Sequence, residues 1–442
     1  MTTTHLGSKL WVVLNSNRLV LELYGRKGSV TNGRPSYPMV SDLISQGRRS
    51  VLLPIDGWSE RRRVMHQLLS GSAMVNYQDY QDEESMNMLS SYLKAPQHWY
   101  THHRMYANSV IHRIAFGEKP SPNDDIKAVT QAQFFFLMNA PPYNLWDCFP
   151  ELAKLPSLLQ PWTRKYHAMG QLTNDAYSTY WNPLRRAIEE GKSHQSFARD
   201  LVFDEAKFTG SEKDKMFLAM QLVEAGSDTT RLALNIFALT SVTNPNKFAR
   251  ARAEVDEVCG SNGERLPGFE DEERLPYVNA FIKEMLRWRR IFDWTPEHTL
   301  TEDLEFEGYF FPKGTNFVIN HNSIATDPAL HTDPENFRPE RWLDGRETEI
   351  TSGSWQFGHG RRVCVGYRLA QKSLFINVAR LVYCFEFRSV SIQYRTMTMT
   401  QADIGTKRES FDDKDVKHFT LEEPLPISAT VRGKGYADLI AQ

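Results

Sequence analysis

The stretch Phe357-Gly358-His359-Gly360-Arg361-Arg362-Val363-Cys364-Val365-Gly366 sets one thiol among glycines and cations, directly before an apolar run at helical spacing. A free thiol is mostly protonated at neutral pH. Two adjacent arginines and the backbone amides of a helix opening at Gly366 both favour its anion. The glycines let a large flat group approach the backbone, where a Cβ would collide with it. A lone cysteine is more often a small buried core residue, but this setting is that of a thiolate ligand for a metal such as iron.

The stretch resembles, at every fixed position, the haem-binding signature of the cytochrome P-450 family, Phe-x-x-Gly-x-Arg-x-Cys-x-Gly. The resemblance implies a fold that is mainly α with a small β portion, a triangular helical core around a buried haem. It implies haem b (iron protoporphyrin IX) with an axial thiolate from Cys364, which favours O–O cleavage. Phe357, Gly358, Gly360, Arg362 and Gly366 become cofactor-binding residues, Arg362 through a propionate. His359 occupies a variable position of the signature and is not the ligand.

A second motif lies in the apolar run from about Lys215 to Thr240, which reads as a buried central helix. Its middle, Ala225-Gly226-Ser227-Asp228-Thr229-Thr230, is polar. A buried carboxylate costs several kcal/mol unless paired (~3–5 kcal/mol when a partner is lacking). Taken alone, the hydroxyls would bond back to their own helix. Beside the cysteine motif, the segment resembles the family's oxygen-activating Ala-Gly-x-Asp-Thr-Thr. Asp228 and Thr229 then form an acid–alcohol pair that passes protons from solvent toward the oxygen that leaves as water. Gly226 is expected to leave room for dioxygen.

Glu284 and Arg287, at i and i+3, would alone be an ordinary helix ion pair. The resemblance joins them to Arg341 of Phe337-Arg338-Pro339-Glu340-Arg341-Trp342 in a buried structural network. The family pattern Trp-x-x-x-Arg maps Trp58 and Arg62 onto haem propionates, which a bidentate guanidinium suits in geometry and charge. Arg63 is a further candidate. His298, in Pro296-Glu297-His298, falls where the family places an Arg or His against a propionate.

The chain has 442 residues, a net charge of -2 and 24% charged residues. Nothing in this balance suggests a nucleic-acid partner. Cys148, Cys259, Cys364 and Cys384 are too few and too scattered for a disulfide framework or a zinc knuckle. No stretch reaches the roughly 18 apolar residues of a membrane span, so the chain reads as soluble or peripheral. By resemblance it would work at the cytoplasmic side of the endoplasmic reticulum, with membrane contact open.

Along the chain, Leu10–Leu14 reads as a strand, Arg18–Arg26 as a helix and Gly33–Asp56 as a long functional loop. Helices follow from Trp58 to about Val242, broken near Pro120-Ser121-Pro122, Pro141-Pro142, Pro150 and Pro156. Further helices run over Pro276–Arg290 and Gly366–Phe387. Leu304–Phe311 and Thr315–Asn320 flank Pro312-Lys313-Gly314 as a hairpin-like pair. The resemblance covers residues 1–442 as a single domain that begins after the family's usual N-terminal anchor, hinge, first helix and first strand. The edge of the small sheet is therefore expected to be unpaired.

The expected function is that of a haem-thiolate monooxygenase, inserting one oxygen atom from O2 into an apolar organic substrate. The resemblance is to filamentous-fungal members that tailor secondary metabolites. No flavin or nicotinamide motif is present, so electrons from NADPH imply a separate reductase, docking near Arg61, Arg63 and Arg361. The loop Pro38–Asp56, the central helix before Gly226, and Ile291–Thr295 with Phe292 and Trp294 are expected to line the substrate pocket. The alternatives are a non-catalytic haem binder and a haem-thiolate isomerase or dehydratase that does not use O2. Retention of Asp228-Thr229 weighs against the latter.

Overall fold

The computed structural model describes residues 1–69, 73–120, 126–140, 144–203, 207–389, 393–394, 397–398 and 427–442. Two strands, β1 (Thr2–Leu6) and β2 (Lys9–Leu14), and a single turn, α1 (Asn17–Val20), open the chain. Helices α2 (Ile55–Leu68), α3 (Ala73–Lys94), α4 (Trp99–Phe116), α5 (Ile126–Asn139), α6 (Leu145–Cys148), α7 (Thr163–Glu189), α8 (Phe197–Val202), α9 (Glu212–Thr243), α10 (Pro245–Cys259) and α11 (Pro276–Trp288) follow. Strands β3 (His298–Thr299), β4 (Leu304–Phe306), β5 (Tyr309–Phe311) and β6 (Asn316–Ile319) precede α12 (His321–Ala325) and α13 (Tyr367–Cys384). Strands β7 (Phe385–Ser389), β8 (Gln393–Tyr394), β9 (Met397–Thr398) and β10 (Ile427–Val431) and helix α14 (Lys434–Ala441) complete it.

Helix α9 is the axis of the main core. It packs against α4, α7, α8, α10, α11 and α13, and Phe217, Leu218, Met220, Leu234, Phe237 and Leu239 are wholly buried along it. A Ser211–Asp214 capping box starts it, satisfying two of the first-turn amides that have no partner inside the helix. Polar side chains interrupt this apolar helix at Gln221, Glu224, Asp228, Arg231 and Asn235, steps of three and four that keep them on one side.

The main sheet has the order β1-β2-β6-β3. Strand β2 runs parallel to β6, and β1 pairs antiparallel with β2 from Thr2↔Val13 to Leu6↔Lys9. The edge of β2 that the sequence reading left open is thus covered by residues it had not assigned to a strand. The expected Arg18–Arg26 helix is the short α1 continued by a wider π turn over Leu21–Arg26.

The hairpin turn differs from expectation. The single run Leu304–Phe311 folds on itself, with β4 and β5 paired around Glu307-Gly308. Both turn residues have positive φ, +53° and +79°, the two-residue geometry whose twist matches that of paired strands. Pro312–Gly314 instead leads β6 into the main sheet. Of the proline breaks, Pro150 opens a short three-ten turn, Pro183 is accommodated inside α7, and Pro122 and Pro141-Pro142 lie outside the described residues.

Glu284 sits at zero exposure on α11. Its carboxylate receives Arg287 Nη2 at 2.7 Å, Arg341 Nε at 3.1 Å, the indole N–H of Trp342 at 2.9 Å and the backbone N–H of Arg338 at 2.8 Å. One acid therefore ties α11 to the Phe337–Trp342 segment, as expected. Glu284→Gln removes the charge that pairs with both guanidiniums. A loss of about 3–5 kcal/mol, measured by urea unfolding of the purified protein, is the expected result.

Candidate haem site

The cysteine loop is pinned at both ends. Cys364 N–H donates to Phe357 O at 2.7 Å, and Gly366 caps α13. Gly358 and Gly360 adopt φ of +71° and +70°, which a side chain resists. A Cβ on Gly360 would lie 2.0 Å from the carbonyl oxygen of Tyr24. That glycine is therefore required by protein packed behind the loop, not by clearance for a flat group in front of it.

Cys148, Cys259 and Cys384 are buried, whereas Cys364 carries open surface. Burial nonetheless raises the Cys364 thiol pKa, opposed by the Gly366 amide and the Arg62 charge. The cation acting on this thiol is Arg62 rather than the neighbouring Arg361 or Arg362 that the sequence suggested.

Three guanidiniums converge beside the loop. Arg62, from α2, donates to Val363 O at 2.6 Å. Arg362 donates to Asn32 O at 2.9 Å and Leu53 O at 3.0 Å, and lies 4.0 Å over the Trp58 ring. Arg34 donates to Val51 O at 2.6 Å and to the carbonyls of Pro296 and Glu297. Burial, Arg34 and Arg62 together push Arg362 down to about 9. Its Nη1 is buried without a partner. Half-buried guanidiniums this close together favour an anion nearby; the Glu297 carboxyl acts on Arg34.

His298 completes this side. It is buried and stacked face to face on Tyr24, centroids 3.9 Å apart. Burial and the charges of Arg34 and Arg362 hold its pKa well below the usual imidazole range, leaving it neutral and able to donate one N–H. The structure thus brings Trp58, Arg62, His298, Arg362 and Cys364 into one neighbourhood. Sequence reasoning missed Arg34 and Tyr24: neither stands in a recognisable motif, and both are placed by long-range packing.

On α9 the residues stand differently from expectation. Thr229 Oγ1 donates to Ala225 O at 2.7 Å. Asp228 pairs with Arg231 at 3.1 Å, one turn further on. Burial raises Asp228 despite that cation. No hydrogen bond joins Asp228 to Thr229 among the described contacts, so the pair is adjacent but not engaged. Gly226 does not provide open space, because a Cβ there would meet Ile111 Cγ1 at 2.6 Å; it allows α4 to approach α9. Ala225 is exposed and Gly226 to Thr230 are half-buried, with Thr229 one turn beyond Ala225 on the same face. Phe292 and Trp294 are exposed, at 42% and 50%. Arg61 is bound to Asp214 at 2.7 Å and is not an open surface cation.

An accessible thiol thus stands beside a cluster of guanidiniums. The model of the Cytochrome P450 family matches residues 1–412. Cytochrome P450 monooxygenase verL of Clonostachys rogersoniana is 34% identical over 403 residues, spanning 86% of this chain and 73% of that protein. Cytochrome P450 monooxygenase 113 of Postia placenta is 32% identical over 391 residues, 87% of this chain and 78% of that protein. A zebra fish cytochrome P450 structure with progesterone superposes with a TM-score of 0.74 at 21% identity, over 98% of this chain and 96% of that one. The chain belongs to the cytochrome P450 family and is a monooxygenase of the fungal branch represented by these relatives, with haem on a cysteine thiolate as its cofactor. Among the described residues no helix is long and apolar enough to cross a membrane.

Two outcomes follow from this geometry. Gly226→Ala is expected to cost about 1–3 kcal/mol through overpacking while leaving the haem spectrum native. Ile111→Val in the same chain should recover part of that loss in a thermal melt. Arg362→Leu should speed transfer of haem to an acceptor protein about tenfold or more, given ~1.5–3 kcal/mol for a hydrogen bond to a charged group.

Proposed function

We propose that this protein inserts one oxygen atom from O2 into an apolar organic substrate of secondary metabolism. Electrons come from NADPH through a separate reductase. Cys364 is the axial ligand, and the observation that carries this assignment is its open surface among cysteines that are otherwise buried. Arg62, Arg362 and His298, with Arg34, hold the propionates, and Trp58 supports Arg362 from behind. The bound haem supplies oxygen activation and the oxidising equivalent; this chain's residues orient, exclude water and deliver protons.

Asp228 and Thr229 are the proton-delivery residues. Delivery requires the Asp228 carboxyl to leave Arg231 and turn toward the accessible face, a side-chain rotation within the first turn of reach. The substrate lies against Ala225 and the segment from Ile291 to Thr295, whose Phe292 and Trp294 present aromatic surface suited to an apolar ligand. The reductase docks on the cysteine side, where Arg361 and Arg368 are exposed, giving a salt-sensitive association.

The test is the carbon monoxide difference spectrum of the dithionite-reduced protein beside Cys364→Ala. A strongly red-shifted Soret band in the wild type that vanishes in the variant is expected. A band typical of histidine ligation in the wild type overturns the assignment.

A further inference from the structure

The segment Ile291–Thr295, against which the substrate is placed above, is held by its backbone. Ile291 N–H donates to Gln356 Oε1 at 3.1 Å and Phe292 N–H reaches the same oxygen at 3.5 Å, while Gln356 Nε2 donates to Phe292 O at 3.3 Å. Further along, His321 N–H donates to Asp293 O at 2.9 Å, Thr295 N–H to Ile319 O at 3.3 Å, and Ile319 N–H to Thr295 Oγ1 at 3.1 Å. Trp294 forms an antiparallel bridge with Asn320. The backbone is therefore fixed at both aromatic positions, while the side chains of Phe292 and Trp294 stay open. A ligand on their open side meets walls that are already ordered, which lowers the entropy cost of binding.

Gln356 differs from the other anchors in where it stands. It precedes Phe357, whose carbonyl accepts the Cys364 N–H, and follows Trp355, which is buried with its ring edge-on to His359 at 4.7 Å. Its own backbone is thus set between two fixed residues. A primary amide accepts and donates in one plane, so at Phe292 it engages both the N–H and the C=O of one residue, as a neighbouring strand would. His321 and Ile319 hold Asp293 and Thr295 toward β6 and α12, whereas Gln356 ties Ile291 and Phe292 to the cysteine loop. We propose that Gln356 is a specificity-determining positioning residue: from the cysteine loop it sets where Phe292 and Trp294 stand, and so which apolar or aromatic groups the site accepts. It acts through those two side chains and touches no reacting atom.

The inference rests on the placing of Phe292 and Trp294 against the substrate, and the test separates the two. The probes are imidazole and 4-phenylimidazole, titrated into the haem-loaded protein and followed by the Soret shift; they share the ligating nitrogen and differ by one phenyl ring. Gln356→Met keeps the length of the side chain and removes both its donor and its acceptor. It should weaken 4-phenylimidazole by about tenfold, the scale on which one hydrogen bond counts, while leaving imidazole affinity and the carbon monoxide band unchanged. Gln356→Glu keeps the acceptor for the two N–H groups and should show the same selective loss to a smaller degree. Unchanged 4-phenylimidazole affinity in both variants overturns the proposal. Equal weakening of the two probes, or loss of the carbon monoxide band in both variants, makes Gln356 a support of the cysteine loop alone and also overturns it. Phe292→Ala and Trp294→Ala test the underlying reading: if neither changes the preference for the phenyl probe, the placing of the substrate fails, and if they lower it while the Gln356 variants do not, only the positioning role falls.

Discussion

Positive charge gathered beside the cysteine loop is the constraint around which this side of the molecule is arranged. Arg34, Arg62 and Arg362 come from three separate parts of the chain, and each is anchored by backbone carbonyls rather than by a carboxylate of matching number. Carbonyl dipoles orient a guanidinium but do not neutralise it. The loop from Asn32 to Leu53, the start of α2 and the cysteine loop are joined by these guanidinium–carbonyl contacts. Glu284 solves the opposite problem away from the site, where one acid satisfies two arginines and an indole with no outside help.

Much of this was legible in residue order because the chemistry is local. The cysteine loop, the Glu284–Arg341 network and the buried course of α9 follow from motifs whose spacing is set by a helix turn or a tight loop. Reading failed where a long-range neighbour decided the outcome. Gly226 looked like a gap for dioxygen, but Ile111 of α4 fills the space beside it. Arg61 looked like a surface cation, and Asp214 claims it. Gly360 appeared to clear a cofactor, whereas Tyr24 stands behind it. The hairpin was assigned to Pro312–Gly314 because proline and glycine dominate turn statistics, while Glu307 accepted a left-handed conformation beside Gly308.

The polar residues of α9 gather these contacts into a seam. Gln221 accepts from Ser50 N–H at 2.5 Å, Tyr177 OH donates to Glu224 at 2.6 Å, and Asn235 meets His103 at 2.8 Å. Arg49, also bound to Glu224, brings the 38–52 segment onto the same line. A helix this buried would be more stable if uniformly apolar. Its side chains instead join the 38–52 segment, the acid beside Thr229 and the interior of α4 through buried hydrogen bonds, which favour one defined arrangement.

Tyr24 gives this architecture a consequence for modularity. Its backbone carbonyl blocks any residue but glycine at Gly360, and its ring lies flat on His298. The ten residues around Cys364 are thus only half of a composite part whose other half lies more than three hundred positions earlier. A graft of the cysteine loop alone into another helical scaffold would lack the surface that shapes it. Descendants of this chain can exchange the loop freely only if the turn over Leu21–Arg26 travels with it.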